Sequence, residues 1–287
     1  MHTTLISVHD LRRLMDAGSP LAIFDCSFDL FDPAAGQRQY GEAHIPGARY
    51  ADLDQLLSQK GDGPRSSGGR HPLPTREVFA DRMAGLGLDA GTQVVVYDRQ
   101  GANFCGRLWW MLQWCGHASV AVLDGGLPAW QAQGQPVEHT PAPPPSRRGS
   151  FALAPALAAT VDAATLRGLL ATLHIPIIDA RAPARFRGET EPLDPVAGHI
   201  PGALNRPFGD NLTPEGRFKT PEQLRAEFDA LLGGARDPRQ AIHHCGSGVS
   251  AIPNVLAMAI AGWGITRLFP GSWSEWCATP EAVFAHG

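Results

Sequence analysis

No run of apolar residues in this chain approaches the ~20 needed to cross a bilayer as a helix. The opening Met1-His2-Thr3-Thr4-Leu5-Ile6-Ser7 lacks the charged start and long apolar stretch of an export signal. Cations are not in excess: the formal charge is −4, which argues against nucleic acid or an anionic membrane as partner. Cysteine is sparse. The five residues Cys26, Cys105, Cys115, Cys245 and Cys277 are odd in number and form no CxxC pair. That spacing argues against a disulfide framework or a zinc site and makes a reducing, cytoplasmic setting the expected one. What the chain does have is length and apolar content. Its 287 residues are 44% hydrophobic and 18% charged, enough to bury the core of one large or two ordinary domains.

The order of signals occurs twice. Apolar strands ending in aspartate, Pro20-Leu21-Ala22-Ile23-Phe24-Asp25 and Ile175-Pro176-Ile177-Ile178-Asp179, open each half. His44-Ile45-Pro46-Gly47-Ala48 is answered by His199-Ile200-Pro201-Gly202-Ala203, and Val94-Val95-Val96-Tyr97-Asp98 by Ala241-Ile242-His243-His244-Cys245. Leu123-Asp124-Gly125-Gly126-Leu127-Pro128-Ala129-Trp130 corresponds to Phe269-Pro270-Gly271-Ser272-Trp273-Ser274-Glu275-Trp276. Partners stay roughly 150 residues apart, so duplication of one domain is the economical explanation. The expected boundaries are 1–138 and 151–287, joined by a Pro-rich linker over 139–150 that favours extended structure. Strands alternate with helical patterns, as at 75–83 and 220–228, which predicts an α/β fold with a mostly parallel sheet flanked by helices in each half.

The chemistry is expected at His244-Cys245-Gly246-Ser247-Gly248-Val249-Ser250-Ala251. A strand, a tight glycine-rich loop led by cysteine, and an apolar helix follow one another. Inward-pointing loop N–H groups and the positive helix end favour a thiolate and a bound anion. The carboxyl end of a parallel strand is also where such folds place ligands. The N-terminal half has Asp98 at the cysteine's place and no comparable loop, so only the C-terminal half is expected to be armed. The other four cysteines read as buried packing residues. His44 and His199 recur in both halves and read as structural, bonded to backbone. Trp130, Trp273 and Trp276 read as core or pocket walls. Strand alternation sends His243 and His244 to opposite faces. Gly61-Asp62-Gly63 and Gly68-Gly69 read as mobile loops near His71.

These paired motifs and the Cys-led loop resemble those of the tandem rhodanese-type sulfurtransferases, over nearly the whole chain from Asp25 to Trp276. The loop is similar to that of the mercaptopyruvate branch, with Ser250 where threonine is usual. The thiosulfate branch typically carries basic residues just after the cysteine, where this chain has Gly246 and Ser247. The resemblance implies two tandem rhodanese-like domains. It also implies transfer of a sulfane sulfur from a small donor, through a persulfide on Cys245, to a thiol or cyanide acceptor, a thioredoxin-like protein being one form of the thiol. A neutral loop suits monoanionic 3-mercaptopyruvate better than dianionic thiosulfate. Gly246, Gly248, Val249 and Ser250 are then the backbone cup around the donor.

Ser247, His71 and Asp54 match a proton relay of that branch, delivering a proton to the enolate-like leaving group. Taken alone, His71 reads equally as a loop histidine and Asp54 as a solvated carboxylate or helix cap. Arg185 matches the arginine that holds the donor's anionic end, although Arg181 and Arg187 stand close by. A second arginine expected soon afterwards is missing. Asp194 stands there instead and would repel a carboxylate if it faced the site; Arg187, Arg206 and Arg107 are candidate substitutes. No metal, nucleotide or flavin is implied. Three rival readings compete with this one, the blandest being a degenerate structural protein, against which the surviving Cys245 argues. A Cys-dependent phosphatase needs an arginine where Ala251 stands, and a persulfide carrier passing sulfur to a partner protein needs only the cysteine and its loop.

Overall fold

A computed structural model describes residues 1–170, 175–234 and 236–287. The chain divides into two compact units. The first comprises Met1–Pro64, Pro74–Leu157 and Pro214–Phe218; the second comprises Arg65–Leu73, Ala158–Thr213 and Lys219–Gly287.

The first unit is built on a five-stranded sheet of β1 (Leu5–Ile6), β2 (Leu21–Asp25), β3 (Arg49–Tyr50), β4 (Gln93–Tyr97) and β5 (Val120–Leu123). Their spatial order is β1-β5-β4-β2-β3, all parallel. Every residue of β4 is buried, which a Val-Val-Val strand tolerates because helices cover both faces of a parallel sheet. Helix Arg76–Gly85 starts where Thr75 accepts the Val78 N–H, and helix Cys105–Trp114 is buried along its whole length. Ile23, Val95, Leu123 and Trp130 meet in one core. The Pro-rich stretch 139–150 belongs to this unit and lies along it. Ala142 N donates to the Tyr40 hydroxyl, and Gly149 N to Ala84 O.

Among the described residues, the second unit repeats the plan with four strands: β6 (Ile177–Asp179), β7 (Leu204–Asn205), β8 (Ile242–His244) and β9 (Arg267–Leu268). Their order is β7-β6-β8-β9, again parallel. Asp25 pairs in register with Tyr97 in the first sheet, and Asp179 with His244 in the second, so the repeated strands occupy equivalent places. Helix Pro221–Leu232 begins with a capping box between Thr220 and Gln223. Trp273 and Trp276 are fully buried with Ile177, Ile242 and Phe269. The inner strand β8 ends at His244, so the fold delivers the next residue, Cys245, to the carboxyl edge of the sheet.

Candidate functional site

Cys245 is buried, 2% exposed, at the start of loop 245–251, which leads into helix Ile252–Ile260 with Pro253 in its first turn. Its backbone is fixed from the turn after β9. Cys245 N donates to Ser272 Oγ at 3.1 Å, and Trp273 N donates to Cys245 O at 3.0 Å. Ser274 N likewise donates to Gly246 O at 2.9 Å. Gly248 is required by shape: φ is +73°, and a Cβ there would lie 2.0 Å from Pro270 O. Among the described residues, the N–H groups of Gly246, Ser247, Val249, Ser250 and Ala251 donate to no protein acceptor. A turn of unengaged amides of this kind forms a concave nest for negative charge.

Ser247 Oγ lies 2.8 Å from His71 Nδ1, and both side chains are buried. His71 arrives from far away in sequence because Arg65–Leu73 folds into the second unit. Glycines make that docking possible. Gly68 N donates to Glu275 Oε2 at 3.1 Å and Arg70 N to Ser274 Oγ at 2.9 Å. Gly69 has φ +82° and approaches so closely that a Cβ would lie 2.5 Å from Gly271 O. The Gly68-Gly69 pair is therefore a close-contact device, not the mobile loop its composition suggests. Burial raises the Glu275 carboxyl above its ordinary range.

Beside the loop runs an unbroken series of ion pairs. Arg70 Nη1 meets Asp194 Oδ1 at 2.7 Å, and Asp194 Oδ2 meets Arg185 Nη2 at 3.3 Å. Arg185 holds Glu191 at 2.6 Å, Glu191 meets Arg181 at 3.3 Å, and Arg181 holds Asp179 at 2.7 Å. His244 Nε2 stands 3.7 Å from Asp179. Burial opposes ionisation of Asp179, but His244 and Arg181 override it and leave that carboxyl below its ordinary range. Burial also lowers His244, against the pull of Asp179. Arg181 further stacks over Trp273 at 4.4 Å. Asp194 thus stands between two guanidinium groups, whose positive charge offsets the repulsion it would exert on a donor carboxylate.

Two of the candidate replacements for the missing arginine are engaged elsewhere. Arg187 is exposed and pairs with Glu189 at 2.6 Å, while Arg206 is bound to Glu227 and Asn211 over the Phe228 ring. Arg107 belongs to the first unit. The guanidinium that does reach the loop with Arg185 is Arg70, which sequence reasoning missed. Its only signal was adjacency to His71, a weak one because neighbouring residues in extended chain point opposite ways.

Asp54 belongs to the first unit, in a turn where Asp52 Oδ1 accepts its N–H at 2.7 Å, and its carboxylate pairs with Lys60 at 2.7 Å. In that unit Asp98 occupies the place equivalent to Cys245. Its carboxylate accepts N–H groups from Gln100, Ala102, Phe104 and Cys105 at 2.8–3.0 Å, so the first loop is filled by its own side chain. His44 and His199 bond to backbone, at Tyr40 O and Phe186 O. His243 and His244 point apart, toward Met258 and Asp179. Burial raises the thiols of Cys26 and Cys105, and pushes those of Cys115 and Cys277 up to about 11. Among the described residues no helix is long and apolar enough to cross a membrane, and no His/Cys/Asp/Glu group could hold a metal.

Comparison with known proteins places these features in context. The model of the rhodanese-like domain matches residues 7–133 and again 162–279. A Pseudomonas aeruginosa protein named "Probable 3-mercaptopyruvate sulfurtransferase" is 46% identical over 270 residues, spanning 93% of each chain. Thiosulfate sulfurtransferase of Bos taurus is 32% identical over 100% of this chain and 97% of its own. Among solved structures, SseA from Escherichia coli, described as a 3-mercaptopyruvate sulfotransferase, superposes with a TM-score of 0.77 at 31% identity. That match covers 95% of this chain and all of that one.

Proposed function

Given that this chain belongs to the rhodanese-like family, carries the domain twice and is a sulfurtransferase enzyme, we propose that its sulfur donor is 3-mercaptopyruvate and its carrier a persulfide on Cys245. The observation that carries this reading is the buried Cys245 at the head of a nest of unengaged amides, with the Ser247–His71 hydrogen bond beside it. The Cys245 sulfur attacks the donor sulfur, and the donor's C–S bond breaks with its electron pair left on carbon. The donor's S–H proton passes through Ser247 and His71 to that carbon, so pyruvate leaves and Cys245 holds the outer sulfur. A thiolate or cyanide then attacks the outer sulfur and releases Cys245. The acceptor product is a new persulfide or thiocyanate, and a thioredoxin-like dithiol suits the first case.

Two features support the monoanionic donor. No basic residue follows Cys245 in the loop, and the nearby arginines Arg70, Arg185 and Arg181 are matched by Asp194, Glu191 and Asp179. A site with no surplus cation favours one negative charge over two. Asp54 completes the relay in this reading by orienting His71. The catalytic half, expected at 151–287, is in this reading the unit of Arg65–Leu73, Ala158–Thr213 and Lys219–Gly287. The half 1–138 carries no transfer chemistry, because Asp98 fills its loop, and 139–150 is its connection. The test is steady-state sulfur transfer to cyanide from each donor, with Cys245→Ser alongside. The expected result is a higher kcat/KM for 3-mercaptopyruvate and none in the variant. A thiosulfate preference would overturn the donor assignment, and turnover surviving in Cys245→Ser would overturn the persulfide. Activity with neither donor would leave a carrier that needs a protein partner.

A further inference from the structure

Two guanidinium groups converge on one point of the loop. A Cβ at Gly246 would lie 3.0 Å from Arg70 Nη2 and 3.5 Å from Arg185 Nη1. Both nitrogens are uncommitted among the described residues. Arg70 spends Nη1 on Asp194, while its buried Nε has no partner; Arg185 spends Nε and Nη2 on Glu191 and Asp194. The side chains are held for this orientation. Arg70 is fixed from behind by Ser274 Oγ on its backbone N–H and by the tight seat of Gly69. Asp194, only 4% exposed, bridges the two arginines and keeps them side by side.

We propose that Arg70 acts with Arg185 as an anion clamp that positions the donor's carboxylate over Gly246, and that Asp194 tunes the clamp to a single negative charge. The donor's identity rests on the mercaptopyruvate reading; the clamp itself requires only an anionic donor. Uncommitted N–H groups from two planar cations suit a carboxylate, whose two oxygens accept such forks. With Asp194 between them, the pair carries one surplus charge before Glu191 is counted, and none after. Arg70 is a positioning residue in this scheme and takes no part in bond breaking.

The test uses the full-length protein and two alkylating probes of similar size, iodoacetate and iodoacetamide, with Cys245→Ser as the blank. The neutral reagent reads the access and nucleophilicity of Cys245, and the ratio of the two rates reads the clamp. Arg70→Met is expected to lower the iodoacetate-to-iodoacetamide ratio about tenfold, with the iodoacetamide rate retained. It should raise KM for 3-mercaptopyruvate by about 10- to 100-fold and change kcat little. Arg70→Lys should recover part of the ratio. Asp194→Asn should raise the ratio and move selectivity toward thiosulfate. An unchanged ratio in Arg70→Met, or a fall in Asp194→Asn, overturns the clamp. If the wild type prefers thiosulfate while Arg70→Met still lowers the ratio, the clamp stands and the donor reading falls.

Discussion

Replacing Gly248 with alanine should damage the nest more than its single added methyl suggests. At φ +73° a non-glycine residue costs about 1–2 kcal/mol in backbone strain. The new Cβ would also lie 2.0 Å from Pro270 O, well inside contact distance, so the Pro270 carbonyl must move by about an ångström. That carbonyl opens the turn that fixes Cys245, through Ser272 Oγ on its N–H and Trp273 N on its carbonyl. Overpacking of this kind adds about 1–3 kcal/mol. Together the loss should reach roughly 2–5 kcal/mol. Urea denaturation followed by tryptophan fluorescence measures it, and the iodoacetamide rate at Cys245 shows whether the loop has lost its shape. Gly209→Ala is the control, because a Cβ there meets nothing within 4 Å and its φ is ordinary; it should stay within about 0.5 kcal/mol of the parent. If Gly248→Ala proves as stable and as reactive as Gly209→Ala, the close seat on Pro270 is not what shapes the nest.

Two other outcomes follow from the same structure. If Ser247 and His71 move one proton as a unit, Ser247→Ala and His71→Ala should each lower kcat with 3-mercaptopyruvate by about 10²- to 10⁴-fold, and the double variant should be no worse than the poorer single one. Losses that multiply in the double variant would refute the relay, and stopped-flow detection of pyruvate release measures them. Burial lowers His243 from 6.5 to about 3, so the unfolded chain binds a proton below pH 6.5 that the folded protein refuses. Its contribution is whole above pH 6.5 and is lost as pH falls from there toward 3. His243→Gln should flatten that acid limb in a series of urea midpoints, and an unchanged slope would show that His243 is not its source.

The sequence by itself determined the duplication, the parallel α/β character and the armed loop. Each is written in local chemistry: Val94-Val95-Val96 can only suit a strand covered on both faces, Thr220 with Gln223 starts a helix wherever it lies, and Gly248 marks a turn closed to other residues. It also placed His44 and His199 on backbone carbonyls, because a residue repeated in both halves serves what the halves share. Around Cys245 the resemblance implied Ser247, His71 and Arg185, and tertiary structure decided how they meet and what stands with them. Arg65–Leu73 lies about 175 residues upstream and joins the second unit only because two glycines let its backbone close on the Gly271–Ser274 turn. That docking brings His71 to Ser247 and turns Arg70 toward Gly246, and it converts Asp194 from an apparent repulsion into the tie between two arginines. Backbone periodicity and capping act over a few residues and can be read along the chain. Charge pairing acts through space, and its sign at a site depends on every group the fold gathers there.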